Sequence, residues 1–565
     1  MMKDARELPP GSQIEADLCI IGAGPAGLAM ALRLDGAPFR VAVLESGGLG
    51  PEEASDALSA IASTSRFGDD LAVGAYRAIG GSATRWSIDN GRTKRNVRLT
   101  SMTEADFEER PWMEESGWPI PFEALDAYMD RAKAFFGLPQ RSFLPQDWVD
   151  PETPALPIPE DRIRTRMFMF ADADALLSER RRSIERSQNI VVYVHATAMS
   201  LERSPDGKTV SSVCVRAGRD HAFSVRADQV ILSGGGLWVT QLLLASTAVA
   251  GEGLGGGGDH LGRHFNTHPF LYGGKFYPSD PALFAKTKLY DMRFVGETCV
   301  MAHLQLTDEA LRREKALNMS MMIFPVEKEA DAHRALSPRQ KRGFDALIRM
   351  RFALRGQERV RFRHVVDLVC GLDGVLKRLV GAILWPKTHI GKGGWSRLDR
   401  LDRRYQAYDV FHLAEQGPHP DCRITLSDER DDLGQRRIHI DWRMRPEDSA
   451  AMRRAQEIFR EELAKAGLGR FEIADHEGGP VFVHVSTNHF MGLTRMAANA
   501  RDGVVDPDCR VYGLDNLYIA SSSVFPTGGF ANPTLSIVAL GYRVVDHVLA
   551  KMTRVHASNR ASVAG

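Results

Sequence analysis

Cysteine is scarce in this chain of 565 residues: Cys19, Cys214, Cys299, Cys370, Cys422 and Cys509 are scattered, with no C-x-x-C pair. That excludes a disulfide framework and a cysteine zinc site. An excess of charge is also lacking, because 72 Lys and Arg balance 72 Asp and Glu. No general electrostatic footprint for nucleic acid exists. No uninterrupted apolar run reaches the roughly 18 residues that suggest a membrane span. The opening MMKDARELPPGSQIE is polar, without the apolar stretch of a secretory signal. The expectation is a cytoplasmic protein with no nucleic-acid partner and no transmembrane segment.

What is present is a large apolar fraction, 44%, in a chain long enough for two or more structural units. Its chemistry is declared early. Ala16 to Ile21 is a short apolar strand, followed by Gly22-Ala23-Gly24-Pro25-Ala26-Gly27 and then LAMALRL with helical spacing. In that order Gly22 allows the tight turn, Gly24 lets backbone approach a pyrophosphate, and Gly27 lets the helix pack on the strand. A second strand, RVAVLE, ends at Glu45, placed to accept from a ribose diol. Gly251, Gly253 and Gly256 repeat the glycine pattern but follow the helical LWVTQLLLAS rather than a strand, and read as a loop. The fingerprint alone leaves FAD and NAD both open.

Four separated segments narrow the choice. They are the N-terminal fingerprint, RAIGGSATRW at 77 to 86, HFMGLTRM at 489 to 496, and SSSVFPTGGFANPTLSIVAL at 521 to 540. Together with VILSGGGLWVTQLLLAS and LGRHFNTHP, they make the chain resemble the glucose-methanol-choline (GMC) oxidoreductases, which oxidise alcohols with FAD. The resemblance implies an α/β fold: a Rossmann-like FAD-binding domain with a discontinuous chain, and an α+β substrate domain on a mainly antiparallel sheet with helices. The expected organisation is an FAD domain at 14–270 with a covering excursion at about 110–180, a substrate domain at 271–483, and a C-terminal return at 484–555. The cofactor site is expected to comprise Gly22, Gly24, Gly27, Glu45, Gly80, Gly81, Ser82, Val194, Asn532 and Thr534.

Flavin oxidation of an alcohol needs a base near neutral pKa and a second group fixing the oxygen. By resemblance His489 takes the position of the family's catalytic histidine. Asn532 takes the second position, which is histidine or asparagine among members, and the His/Asn form resembles pyranose oxidases. Some members attach FAD covalently through a histidine in the segment like GGSATRW. Here Arg85 stands at that position, so dissociable FAD is expected, with Arg85 and Asn488 as substrate contacts. His260, His264 and His268 are spaced four apart, yet Gly262, Asn266 and Pro269 argue against one helix, so no metal is expected and His268 reads as structural.

Farther along, CVMAHLQL, NMSMMIFPV, RITLSD and RIHIDWRM read as strands of the substrate sheet, and EDSAAMRRAQEIFREELAKAG as an amphipathic helix. Residues 339–404 carry 17 Lys and Arg against 6 Asp and Glu, with an apolar stripe from Val365 to Ile383 at helical spacing. That basic insert suits a peripheral membrane or partner contact as well as packing on its own domain. The leading expectation is oxidation of a secondary hydroxyl of a sugar, glycoside or cyclitol, with electrons passed to a quinone, a redox protein or oxygen. A sterol-like alcohol, or a flavin-containing lyase, is the alternative.

Overall fold

The computed structural model describes residues 1–63, 76–250, 259–328, 336–354, 362–377, 389 and 391–564. The second glycine pattern at 251–256 and parts of the basic insert, including Leu379, Val380 and Ile383, lie outside them.

The first sheet starts from the glycine fingerprint. Strand Gln13–Ile21 crosses over through helix Pro25–Arg33 to the parallel strand Val41–Leu44. The spatial order is Met2–Asp4, Ile190–Val194, Val41–Leu44, Gln13–Ile21, His221–Leu232, Val210–Gly218, Thr197–Arg203, with Leu517–Ile519 also pairing His221–Leu232. The strands near the fingerprint are continuous apolar runs because helices cover the faces of a parallel sheet. Helix Thr534–Ala564 packs on helix Pro25–Arg33, so the far end of the chain closes over its beginning. It runs past Leu549, and residues 553–558 on it are exposed.

The second sheet is antiparallel throughout, in the order Gly469–Ile473, Phe270–Pro278, Tyr405–Leu413, Ser320–Glu327, Thr298–Leu306, Ile163–Asp172, Asn96–Leu99. Two of its strands, Asn96–Leu99 and Ile163–Asp172, come from before residue 270. The boundary drawn there therefore cuts across this sheet, and part of the excursion at 110–180 is one of its strands.

A second correction concerns RITLSD and RIHIDWRM. Both are strands, Arg423–Arg430 and Arg436–Asp441, but they pair with each other and with Ala62–Ser63 in a separate sheet. The reason lies in Ile424, Ile438 and Ile440, which bury against Leu237 at the start of helix Gly236–Ala250. Within the basic insert, helices Pro338–Leu354 and Phe362–Cys370 pack closely where Gly343 meets Gly371, since a Cβ on Gly343 would come 2.5 Å from the Gly371 Cα. Among the described residues no helix is long and apolar enough to cross a membrane.

Candidate active site

The glycine turn forms one end of a long groove. Gly22 has φ 106°, and a Cβ there would fall 2.6 Å from the Gly234 Cα, so only glycine fits. A Cβ on Gly27 would lie 1.9 Å from the Gly22 carbonyl oxygen, which shows its packing role between helix and strand. Nothing stands within 4 Å of a Cβ built on Gly24. Gly24 is thus the residue whose bare backbone faces the groove. Glu45 is buried at 6% exposure and accepts from the amides of Ala23 and Gly47, both at 2.9 Å. Burial pushes its carboxyl up to about 7.

The groove is a partly open cavity of about 260 Å³. Gly22, Gly24, Glu45, Gly81, Ser82 and Thr534 line it. Helices beginning at Pro25, Gly236 and Thr534 all start on it, so their free N–H groups and positive dipole ends suit a diphosphate and an electron-rich ring system. A buried carboxylate for a diol, a bare backbone at Gly24 and converging helix starts fit a dinucleotide cofactor.

Four expected cofactor residues sit elsewhere than on the wall. Val194 is a correction: its side chain is buried in the core of the first sheet, and Ala196, Thr197 and Ala198 line the groove instead. Gly27 and Gly80 shape the backbone behind the wall, Gly80 with φ 92° against the Leu177 side chain. Asn532 belongs to the histidine cluster below. Arg85 is a further correction, since it turns to the surface, pairs with Asp56 at 3.1 Å and stacks on the Tyr76 ring. Arg77, which the motif contains but sequence reasoning passed over, is buried on the groove and donates to Ser46, Ser59 and the Leu58 carbonyl.

His489 and Asn488 lie on the same groove, brought there by the loop between strand Val481–His484 and Met491. Asn488 is exposed and takes φ 61°, which turns the chain so that the next side chain points inward. The Asn532 amide donates to His489 Nε2 at 3.2 Å, while His489 Nδ1 lies 2.9 Å from both His268 Nδ1 and Thr487 Oγ1. With Nδ1 engaged from behind, Nε2 is the acceptor that faces the groove. Burial, then His268 and Arg98, hold the His489 imidazole well below the usual range, so it is neutral at neutral pH. His268 is depressed to about 4, again by burial. The four-residue histidine spacing resolves into two unrelated contacts: His260 Nδ1 meets His264 Nε2 at 3.1 Å, and His268 turns to His489.

The Pro-Gly turn that carries Asn532 is anchored from behind. The Thr527 hydroxyl donates to the Asp106 carbonyl at 2.6 Å, and the Trp118 indole donates to the Thr527 carbonyl at 3.1 Å. A Cβ on Gly529 would strike the Asp106 carboxylate at 2.5 Å, and its φ of 56° also requires glycine. Beneath this turn Arg110 and Glu415, each 1% exposed, form a bidentate pair at 2.8 and 2.6 Å. Burial raises the Glu415 carboxyl, but Arg110 outweighs it and keeps the group ionised. Sequence reasoning missed this pair and the contact of His268 because each partner lies far away in the chain, and it also missed Thr487, only two residues from His489.

A family model described as FAD dependent oxidoreductase matches residues 17–253, and one described as GMC oxidoreductase matches residues 418–541, the stretch holding His489 and Asn532. The chain thus carries one region similar to FAD dependent oxidoreductases and a second similar to GMC oxidoreductases. Among curated relatives, the fructose dehydrogenase large subunit of Gluconobacter japonicus is 34% identical over 159 residues, 27% of each chain. The C-glycoside 3-oxidase of Microbacterium trichothecenolyticum is 34% identical over 137 residues, 23% of this chain and 25% of that one. The chain thus matches about a quarter of the length of these relatives. A solved fungal aryl-alcohol oxidase shares the fold over 97% of this chain and 100% of its own, with a TM-score of 0.50 and 13% identity.

Proposed function

We propose that this chain is an FAD-dependent GMC oxidoreductase that oxidises a secondary hydroxyl of a sugar, glycoside or cyclitol to the carbonyl. The observation that carries the reading is the pairing of His489 Nε2, whose residue lines the cofactor groove, with the Asn532 amide at 3.2 Å. A hydroxyl oxygen entering there replaces this contact, giving its proton to Nε2 and accepting from the Asn532 N–H. His489 is already neutral, so its lone pair is available without a prior deprotonation. His268 and Thr487 hold the ring from its other nitrogen and fix which edge is presented. FAD, when bound, supplies the hydride acceptor for the carbinol hydrogen. No histidine lies in GGSATRW and Arg85 points outward, which supports a dissociable cofactor. The sugar class is supported by the two relatives whose names specify fructose and C-glycosides.

Electrons then leave to a separate acceptor, for which a quinone or redox protein is favoured over oxygen by the basic insert. The test is anaerobic mixing of the FAD-loaded protein with alcohols while flavin absorbance is followed. Sugars should bleach it. Bleaching by sterols alone would replace this reading with a hydrophobic alcohol, and binding without bleaching would replace it with lyase chemistry.

A further inference from the structure

The face of the second sheet that packs toward Phe530, two residues before Asn532, is apolar and aromatic: Phe168, Phe170, Met301, Met322 and Phe324 bury there with Phe530. Arg98 lies across this face. It starts from the edge strand Asn96–Leu99, and its guanidinium carbon sits 4.7 Å above the Phe168 ring. Its Nη1 lies 2.8 Å from the Met322 Sδ, on a strand beyond both Ile163–Asp172 and Thr298–Leu306. The charged head has therefore been carried over the sheet toward the site.

The other buried arginines all have oxygen partners, Arg166 the Ser101 hydroxyl at 2.8 Å. Arg110 has Glu415, Arg495 has Glu115, and Arg77 has two hydroxyls and a carbonyl. Arg98 has a thioether, a weak acceptor, and its Nε has no partner at all. A guanidinium carries five donors, and leaving them unpaired in an apolar setting is costly unless a ligand takes them up.

No carboxylate among the described residues pairs with it, and burial depresses its pKa to about 10. Its positive field reaches His489 and also His303, a fully buried residue that stacks on Phe168 and meets Phe530 edge-on. Arg98 thus acts on both histidines. It also keeps partial solvent access, as do Phe270 and Phe411 on the same face, so open space adjoins it.

We propose that Arg98 is the anion-recognising residue of the substrate site, and that the alcohol oxidised carries a carboxylate within guanidinium reach of its reacting hydroxyl. The proposal rests on the reading of His489 and Asn532 as the alcohol site. A carboxylate matches the planar fork of a guanidinium with two parallel hydrogen bonds, and the Phe168 ring beneath fixes the plane of that fork. The aromatic face accommodates the carbon skeleton between the two polar ends.

The experiment uses the FAD-loaded full chain and matched probes: D-gluconate against D-glucitol, D-glucuronate against D-glucose, with glucose 6-phosphate added. Binding is read from the shift of the flavin spectrum without oxygen. The acid of at least one pair should bind more tightly than its neutral counterpart. Arg98→Met should weaken that acid by roughly ten- to a hundredfold while leaving the neutral probe within about twofold, and Arg98→Lys should restore part of the loss. Equal binding of acid and neutral probes, equal weakening of both in Arg98→Met, or preference for the phosphate ester would overturn the carboxylate assignment. Bleaching separates the two readings. Arg98-dependent binding without bleaching removes the oxidation reading and supports the subsite, whereas bleaching by neutral sugars without Arg98 dependence removes the subsite alone.

Discussion

Two regions of this molecule break the usual rule of apolar inside and polar outside, and they break it in opposite directions. Around His489 and Asn532, polar groups are buried: His268, His303, Arg110 and Glu415 all lie beneath the surface. In the helical hairpin of the basic insert, apolar groups are exposed, Phe362 at 83% and Val369 at 68%, with Val365, Val366, Leu372 and Leu376 beside them. Each departure costs free energy in the isolated chain, and neither follows from folding alone. Among them Arg110 is locked to Glu415, and His268 holds His489. The hairpin side chains are joined to the rest by few contacts, with Arg339 pairing Asp373 inside the hairpin itself. The first arrangement is a site whose geometry is set, and the second is a surface without a partner among the described residues.

That contrast can be broken experimentally, starting at the buried centre. His489→Ala should slow flavin reduction by roughly a hundredfold or more, with FAD still bound, as rapid anaerobic mixing at saturating substrate will show. Retention of nearly the parent rate would remove His489 as the base. Glu415→Ala leaves the Arg110 guanidinium buried and unpaired, and should lower stability by about 3–5 kcal/mol in denaturant titration. A shift under 1 kcal/mol would mean that the pair does not support the turn carrying Asn532.

Asn532→Ala keeps the base and loses the hydrogen bond that orients the oxygen. Its flavin reduction should fall by about ten- to a hundredfold, less than for His489→Ala. The pH dependence sharpens the point. A histidine whose folded pKa is depressed is unprotonated above that pKa, so the reduction rate should stay level across neutral pH and fall only in acid well below 6.5. A rising limb centred near 6.5 would show a solvated imidazole instead. The smallest effect belongs to the hairpin, where Val369→Asp should leave both flavin reduction and thermal stability within error, a change under about 0.5 kcal/mol. A large loss there would join the hairpin to the buried site and end the contrast.

Much of the site was legible along the chain because its parts are local. A strand, a glycine turn, a helix and an acid at the next strand end must follow one another in order, and Gly22, Gly24 and Glu45 do so. HFMGLTRM and the Pro-Gly turn before Thr534 are likewise continuous, so His489 and Asn532 stood out before any fold was known. Strand Ile163–Asp172 was hidden because both its faces are buried, and its alternating arginines and apolar residues resemble no half-exposed strand. Arg98 was hidden for a different reason. Nothing in NVRL distinguishes an arginine bound for solvent from one laid across an aromatic sheet.

By itself the sequence determined the dinucleotide turn and the presence of an apolar helical stripe in a basic segment, since each depends on neighbours within a turn or two of chain. Tertiary structure alone decided which sheet each strand joined, that His268 backs His489 across 221 residues, and that Arg98 reaches the Met322 thioether. Those outcomes depend on which distant side chains arrive at the same place, and on how completely water is removed once they do. Burial sets the protonation of His489, and burial is a property of the whole fold.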